Sequence, residues 1–316
     1  MMGVEVSQLK DAARAAIGFL ADAQRPSGEL PTFTARRADM ADARAYPCTV
    51  YTTAFAAHGL AHFADDEVAR AVRLRAATHL RAERNPDGSW SYEGRSTTRV
   101  PPDLDDTACA AAALLGAGAR PDLAFYRLLW ENEAAPGGPY YTWVGVNAGD
   151  HLLARQVDAL VNANLLLCAG LAGMALPGAA AYLCDVAARS DWETASDYCL
   201  TPHLLLFCVA RAYADGAVNA LAPAMPALGA AALALPGPPA ELEPFRLACL
   251  AAALLAAGAP GAAAPHLAAL LAAQRPDGSW PIAAAYSGYP PHHDGSPALT
   301  TAIALDAIGR ALGKAG

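Results

Sequence analysis

The sequence predicts an all-α protein, a closed (α/α)6 barrel of about twelve helices in two concentric layers. Three observations lead there. Ala and Leu dominate long runs in which β-branched alternation is almost absent, a composition that favours helix over strand. Pro and Gly divide the chain into about a dozen such runs. A short turn phrase recurs near both ends of the chain and once between, which marks internal repeats.

The phrase reads Gln24-Arg-Pro-Ser-Gly28-Glu-Leu30, then Arg84-Asn-Pro-Asp-Gly88-Ser-Trp90, then Gln274-Arg-Pro-Asp-Gly278-Ser-Trp280, with Pro136-Gly-Gly-Pro139 as a weaker echo. Each follows an Ala/Leu-rich segment. Pro cannot continue a helix and Gly accepts the left-handed turn, so the chain reverses there. Helices are expected near 5–24, 48–64, 67–84, 104–117, 121–133, 156–174, 178–190, 199–214, 217–234, 240–257, 261–274 and 295–312. Paired as antiparallel hairpins, they build two layers, and the uncharged segments suit an inner layer packed on all sides. Chain length and the terminal copies of the phrase favour a ring that brings first and last repeats together. An open superhelix of helix pairs is the competing architecture.

The 316 residues are expected to form one domain, 1–316, with 54% hydrophobic and only 16% charged residues, enough for a large core. A net charge of -8 and scattered Lys and Arg give no basic stripe, which excludes nucleic acid as a partner. The seven cysteines form no CxxC pair and read as reduced core residues. The first ten residues lack the basic start and apolar run of a signal peptide, so a cytoplasmic location is expected. Two uncharged stretches, 159–184 and 216–240, are long enough to span a bilayer, but Pro and Gly break both, and Asn162, Asn164 and Asn219 interrupt them. They read as buried helices and turns, with peripheral membrane association left open.

The most informative segment is Val100-Pro-Pro-Asp103-Leu-Asp105-Asp106-Thr107-Ala108, which crowds three carboxylates into four residues at the start of a helix. Taken alone, it suits acidic capping, because free N–H groups and the macrodipole favour negative charge there. Together with the turn phrase it carries more. Asp-Leu-Asp-Asp-Thr-Ala resembles the DxDD(T/A) acid motif of class II terpene cyclases, the family of squalene–hopene cyclases and copalyl diphosphate synthases, and the Gln-x-x-x-Gly-x-Trp phrase resembles their QW repeat. The resemblance implies a barrel that protonates a polyprenyl chain, with Asp105 as the acid and Asp103 and Asp106 as supporting carboxylates. The chemistry needs such a cluster: an alkene is a very poor base, and burial and neighbouring carboxylates both keep a proton on a carboxyl at neutral pH.

Asp158 and Asn162 lie four residues apart, on one helical face. In squalene–hopene cyclases a similar Asp-x-x-x-His sets a His against the acid; Asn162 stands at the matching position, which implies that it orients Asp105, while an inter-helix hydrogen bond is the structural alternative. Asp158 is assigned with it to the substrate side of the site. Aromatic residues cluster at Tyr140, Tyr141 and Trp143, at Trp192 and Tyr198, and at Trp280, Tyr286 and Tyr289. Aromatic faces stabilise a carbocation and apolar walls exclude water. Trp143, Trp192 and Tyr198 are placed nearest the cavity, Trp90 and Trp280 in the repeat turns.

No Asp-Asp-x-x-Asp motif occurs, which disfavours magnesium-dependent ionisation chemistry. Asp197, Cys199 and His292 or His293 mimic the zinc triad of protein prenyltransferase β-subunits, without the surrounding pattern; no metal and no cofactor are expected. The chain is too short for the second barrel of typical family members, and so resembles the one-domain cyclases that act on prenylated aromatic acids. The expected function is cyclisation of a linear polyprenyl chain, carried on an aromatic or other polar head group, into a polycyclic terpenoid. Two alternatives stand beside it. A cyclase of a linear isoprenoid diphosphate would need a basic patch, for which Arg36, Arg37 and Arg44, or Arg95 and Arg99, are the candidates. The other is a non-catalytic barrel that binds a prenyl group or a partner.

Overall fold

The computed structural model describes residues 4–96, 99–120, 122–145, 155–287 and 292–313. Twelve α-helices occur among them: α1 (Val6–Ala23), α2 (Tyr51–Gly59), α3 (Glu67–Ala82), α4 (Leu104–Gly116), α5 (Leu123–Glu131), α6 (Ala159–Leu171), α7 (Pro177–Arg189), α8 (Pro202–Ala214), α9 (Met225–Ala234), α10 (Pro244–Ala256), α11 (Pro260–Ala272) and α12 (Pro297–Gly313). Every expected helix is present. The bounds shift where proline sets them: α8 and α10 begin later than the apolar runs suggest, because Pro202 and Pro244 occupy the first helical position, where the missing N–H costs nothing. The expected helix 217–234 divides into a 3-10 turn, Asn219–Ala224, and α9, with Pro223 and Pro226 on either side of the break.

The even-numbered helices close a ring. Each packs against the next, α2 on α4, α4 on α6, α6 on α8, α8 on α10 and α10 on α12, and α12 returns to α2. The odd-numbered helices lie outside, and α1 packs on both α12 and α3. Inner position explains composition: every residue from 159 to 169 on α6 is buried, and so are most of α8, α10 and α12. No helix among the described residues is long and apolar enough to cross a membrane.

The recurring phrase works as a clasp between successive outer helices. Gln24 Nε2 donates to Gly28 O and reaches across to Val72 O on α3 (3.0 Å); Gln274 Nε2 donates to Gly278 O and reaches Ala12 O on α1 (2.9 Å). The last clasp therefore grips the first helix and closes the outer layer. Gly278 permits the approach, since its φ is +86° and a Cβ there would stand 2.2 Å from the carbonyl oxygen of Ala15. Trp90 and Trp280 are structural as expected, each sending Nε1 to a carbonyl ten residues back, Leu80 O and Leu270 O, at 2.7 Å. A side chain early in the following inner helix then accepts the backbone N–H that leaves each clasp: Thr53 from Leu30, Thr107 from Trp90 and Thr301 from Trp280.

One feature departs from the all-helical expectation. Three short strands, β1 (Phe33–Ala35), β2 (Arg44–Ala45) and β3 (His293–Gly295), form an antiparallel sheet in the order β2-β1-β3, with Thr34 opposite Asp294. Strands of two or three residues carry no periodic signal. They join the segment before α2 to the segment before α12 and so tie the seam of the ring at one end. Near the opposite end of α2, Arg310 on α12 pairs with Asp306 and with Asp215, which also accepts from His58 Nε2 at 2.9 Å.

Candidate active site

A cavity of about 740 Å³ opens at the N-terminal end of the inner ring, within the size range of small-molecule sites. Its lining comes mainly from the segments that lead into α2, α4, α6, α8 and α12 and from the first turns of those helices. The geometry follows from the barrel: loops that enter inner helices converge on the axis, whereas the clasps lie on the outer layer.

Asp103, Asp105 and Asp106 all line this cavity. Asp103 is the N-cap of α4, its Oδ1 accepting from Asp106 N at 2.7 Å, so the capping role that the sequence offered is real for this residue. Burial raises its pKa to about 6, with hydrogen bonds from the Asp106 carboxyl and from backbone N–H groups holding it back. Asp106 is pushed well above the ordinary value by burial, by the Asp103 charge and by the proton it shares with Asp103. Its Oδ1 has no hydrogen-bond partner among the described residues. Asp105 is raised to about 8, first by burial and then by the charge of Asp103, while Asn164 and Arg211 pull in the other direction. Three adjacent carboxyls thus separate into an anchored anion, a proton-sharing neighbour and an acid that keeps its proton at neutral pH.

The residue that touches Asp105 is Asn164, not Asn162. Asn164 Nδ2 donates to Asp105 Oδ1 at 2.6 Å, and Arg211 donates to Asn164 Oδ1, also at 2.6 Å. Asn162 instead accepts the Tyr140 N–H at 2.9 Å and donates to Tyr140 O and Asp158 O. It is the α6 counterpart of Thr53, Thr107 and Thr301, serving the clasp of Pro136 to Pro139. The correction has a geometric cause: residues two apart on a helix point about 200° away from each other, so Asn162 and Asn164 face opposite sides of α6.

Asp158 is corrected likewise. It caps α6 through Leu160 N and Val161 N, accepts Asp197 N on its other oxygen, and does not line the cavity. Its charge is nevertheless one of those that raise the pKa of Asp105. Trp143 and Tyr198 do line the cavity, their ring centroids 6.2 Å apart and both donating to Gln156 Oε1. Trp192 does not; it is buried, and its indole nitrogen has no partner among the described residues. Tyr289 falls outside the described residues.

Sequence reasoning left unplaced several residues that the cavity uses. Tyr51, Tyr92 and Tyr286 form its aromatic wall, with Tyr51 and Tyr286 centroids 4.9 Å apart. The Tyr51 hydroxyl has no partner among the described residues and lies beside Asp105. On the same wall, Asp294 accepts from Tyr46 and Tyr92 at 3.2 Å and from His292 at 3.0 Å. A usable signal existed for one residue: Arg211 is the lone charge in an apolar helical run, and such a charge demands a partner. The tyrosines offered none, being scattered over segments that only the ring brings together.

Of the basic candidates, Arg36, Arg44 and Arg99 reach the cavity, together with Asp42 and Glu93; Arg99 is paired with Glu93, and Arg37 with Asp39. Asp197, Cys199 and His292 or His293 do not form a converging donor group among the described residues. Asp197 accepts from Gln156, and His292 donates to Asp294. The arrangement as a whole sets Asp105, a buried carboxyl that keeps its proton, against an aromatic cavity, a device for delivering a proton to a weakly basic, apolar group.

No protein-family profile and no curated protein matches the sequence. Solved structures do. The chain is similar to the type II terpene cyclase MstE from Scytonema, with a TM-score of 0.74 and 19% identity over 98% of this chain and 99% of that one. A variant of MstE is solved with geranylgeranyl dihydroxybenzoate as substrate, another with merosterolic acid A as product. A protein from Actinoplanes is similar at a TM-score of 0.72 and 21% identity, covering 96% of this chain and 99% of that one. An unsaturated glucuronyl hydrolase specific for heparin shares the fold more loosely, at a TM-score of 0.61 and 13% identity over 97% of each chain. These likenesses establish the α/α-barrel; since one architecture spans cyclase and hydrolase, function rests on the site.

Proposed function

We propose that this protein is a class II, protonation-initiated terpene cyclase that converts a linear polyprenyl chain bearing a polar aromatic head group into a polycyclic meroterpenoid. The observation that carries the reading is Asp105: a carboxyl pushed up to about 8, facing an aromatic cavity at the N-terminal end of the inner helices. In the proposed step the Oδ2–H bond of Asp105 breaks and the alkene π pair takes the proton, forming a C–H bond and leaving a tertiary cation and the Asp105 carboxylate. Ring closures move the cation along the chain, and loss of a proton ends the sequence. Product and substrate are isomers, so neither oxidant nor cofactor enters the balance.

The tyrosine faces and Trp143 give the migrating cation electron-rich neighbours. Similarity to MstE, whose substrate is geranylgeranyl dihydroxybenzoate, supports the head-group class. Arg36 and Arg44 at the cavity keep a second reading, an isoprenoid diphosphate, in contention. The deciding experiment is mass analysis of products from a panel of polyprenyl substrates. A cyclised isomer from a prenylated dihydroxybenzoate, lost in Asp105→Asn, supports the first reading. Turnover of the diphosphate alone supports the second, and binding without turnover leaves a prenyl-binding barrel.

A further inference from the structure

Arg211 lies in α8, 2% exposed, and among the described residues no carboxylate pairs with it. Its guanidinium sits 4.3 Å from the Phe55 ring centroid and 5.2 Å from that of Phe207, its Nε has no partner, and it donates to Asn164 Oδ1 and weakly to Cys208 Sγ. A guanidinium is charged at every accessible pH, and a buried cation without an anion is costly. The nearest standing carboxylate on α12, Asp306, is already taken by Arg310. The remaining route to an anion runs through Asn164 to Asp105.

Amide orientation makes this route directional. Arg211 has donors only, so the atom of Asn164 that faces it must be Oδ1. Nδ2 must then face Asp105, whose Oδ1 can only accept. The carboxyl proton is thereby confined to Oδ2.

We propose that Arg211 is the built-in counter-charge of the Asp105 carboxylate, acting through Asn164 as a positioning residue that fixes which oxygen carries the proton and stabilises the anion left when it departs. This rests on Asp105 being the acid of the proposed reaction, but the charge coupling itself requires no substrate. The other titratable groups around the pair are accounted for. On α4 they are Asp103, Asp106 and Cys109; on α2, Tyr51 and His58; at the start of α6, Asp158. On and before α8 they are Cys208 and Cys199, on α10 Cys249, and on α12 Asp306. The thiols and Tyr51 are pushed up by burial and stay neutral, and the charges of Asp103 and Asp158 oppose the ionisation of Asp105, which leaves Arg211, among the described residues, as the cation favouring it.

The test titrates the Asp105 carboxyl directly, by infrared C=O absorption assigned through the difference from Asp105→Asn, in the wild-type chain and in Arg211→Gln. Glutamine can still donate to Asn164 but carries no charge. The Asp105 midpoint should rise by at least one pH unit, and with an accepted substrate kcat should fall at least tenfold while the alkaline limb of the rate profile moves upward. Arg211→Lys, which keeps a cation, should hold the midpoint near the wild-type value. Should Arg211→Gln not fold, Arg211→Met, apolar and of similar length, takes its place with the same expectation. An unmoved midpoint in a folded, neutral variant overturns the proposal, even if turnover is slowed. A midpoint that rises in a chain that cyclises no prenyl substrate upholds the coupling and overturns the cyclase reading instead.

Discussion

Asn164 donates to Asp105 Oδ1 over 2.6 Å from the side of α6 that faces the cavity, while Asn162, two residues earlier, is turned toward the outer layer. The two amides therefore predict opposite phenotypes. Asn162→Ala leaves the Tyr140 N–H and C=O unpaired and should destabilise the fold by about 1–3 kcal/mol per orphaned group, with near-normal turnover in the folded fraction. Asn164→Ala should slow turnover roughly ten- to a hundredfold, the rate equivalent of one such hydrogen bond. Thermal melts paired with kcat for both variants check this; the reverse pattern would put Asn162 back at the acid.

Asp105→Asn should abolish cyclisation and leave helical content and substrate binding in place, because an amide N–H cannot protonate an alkene. Circular dichroism, a binding titration and product analysis on one preparation decide it. A folded variant that still cyclised at a comparable rate would remove Asp105 as proton donor.

Activity should decline as pH rises through about 8, where Asp105 loses its proton. The same group shapes stability. It binds its proton more tightly in the folded chain than in the unfolded one, so its stabilising contribution is complete below the unfolded value of 3.8 and is lost as pH rises through the folded value of about 8. Relative to wild type, Asp105→Asn should therefore gain unfolding free energy between about pH 4 and pH 8. Denaturant titrations at several pH values measure it, and a difference independent of pH would contradict the raised value.

Gly278→Ala should be far more damaging than Gly258→Ala. Both glycines have positive φ, but a Cβ at Gly278 would meet Ala15 O at 2.2 Å, whereas at Gly258 nothing lies within 4 Å. The second variant carries only the left-handed penalty, on the order of 1–2 kcal/mol. The first adds displacement of the clasp that closes the ring, read as a larger drop in melting temperature. Equal drops would mean the clasp contributes little.

Trp143→Ala and Trp192→Ala should divide in the same way. Trp143 lines the cavity, so its loss should change product distribution; Trp192 is buried elsewhere, and its loss should cost about 3–5 kcal/mol of stability with products unchanged. Product profiles alongside denaturant midpoints separate the two.

Local chemistry explains what could be read in advance. Helix existence was legible because Ala/Leu runs and Pro-Gly stops act within a few residues of themselves, and all twelve helices follow from them. The acid cluster was legible because three carboxylates in four residues are adjacent in the chain. The two- and three-residue strands were not, since strands that short carry no periodic signal and β1 meets β3 from more than two hundred residues away. Nor was the Asn162 and Asn164 distinction, which depends on where α6 sits in the ring.

By itself, then, the sequence determined the helices, their turns, the place of Trp90 and Trp280 in those turns, and the carboxyl cluster at the head of α4. Only the tertiary structure decided that the ring closes through α12 onto α2, that Asn164 and Arg211 rather than Asn162 and Asp158 stand behind Asp105, and that Tyr51, Tyr92 and Tyr286 share one wall. The physical reason is range: capping, turn formation and helix propensity are settled between near neighbours along the chain. The surroundings of a buried carboxyl are settled by which faces of distant helices meet, and by the cost of leaving a charge or an amide there without a partner.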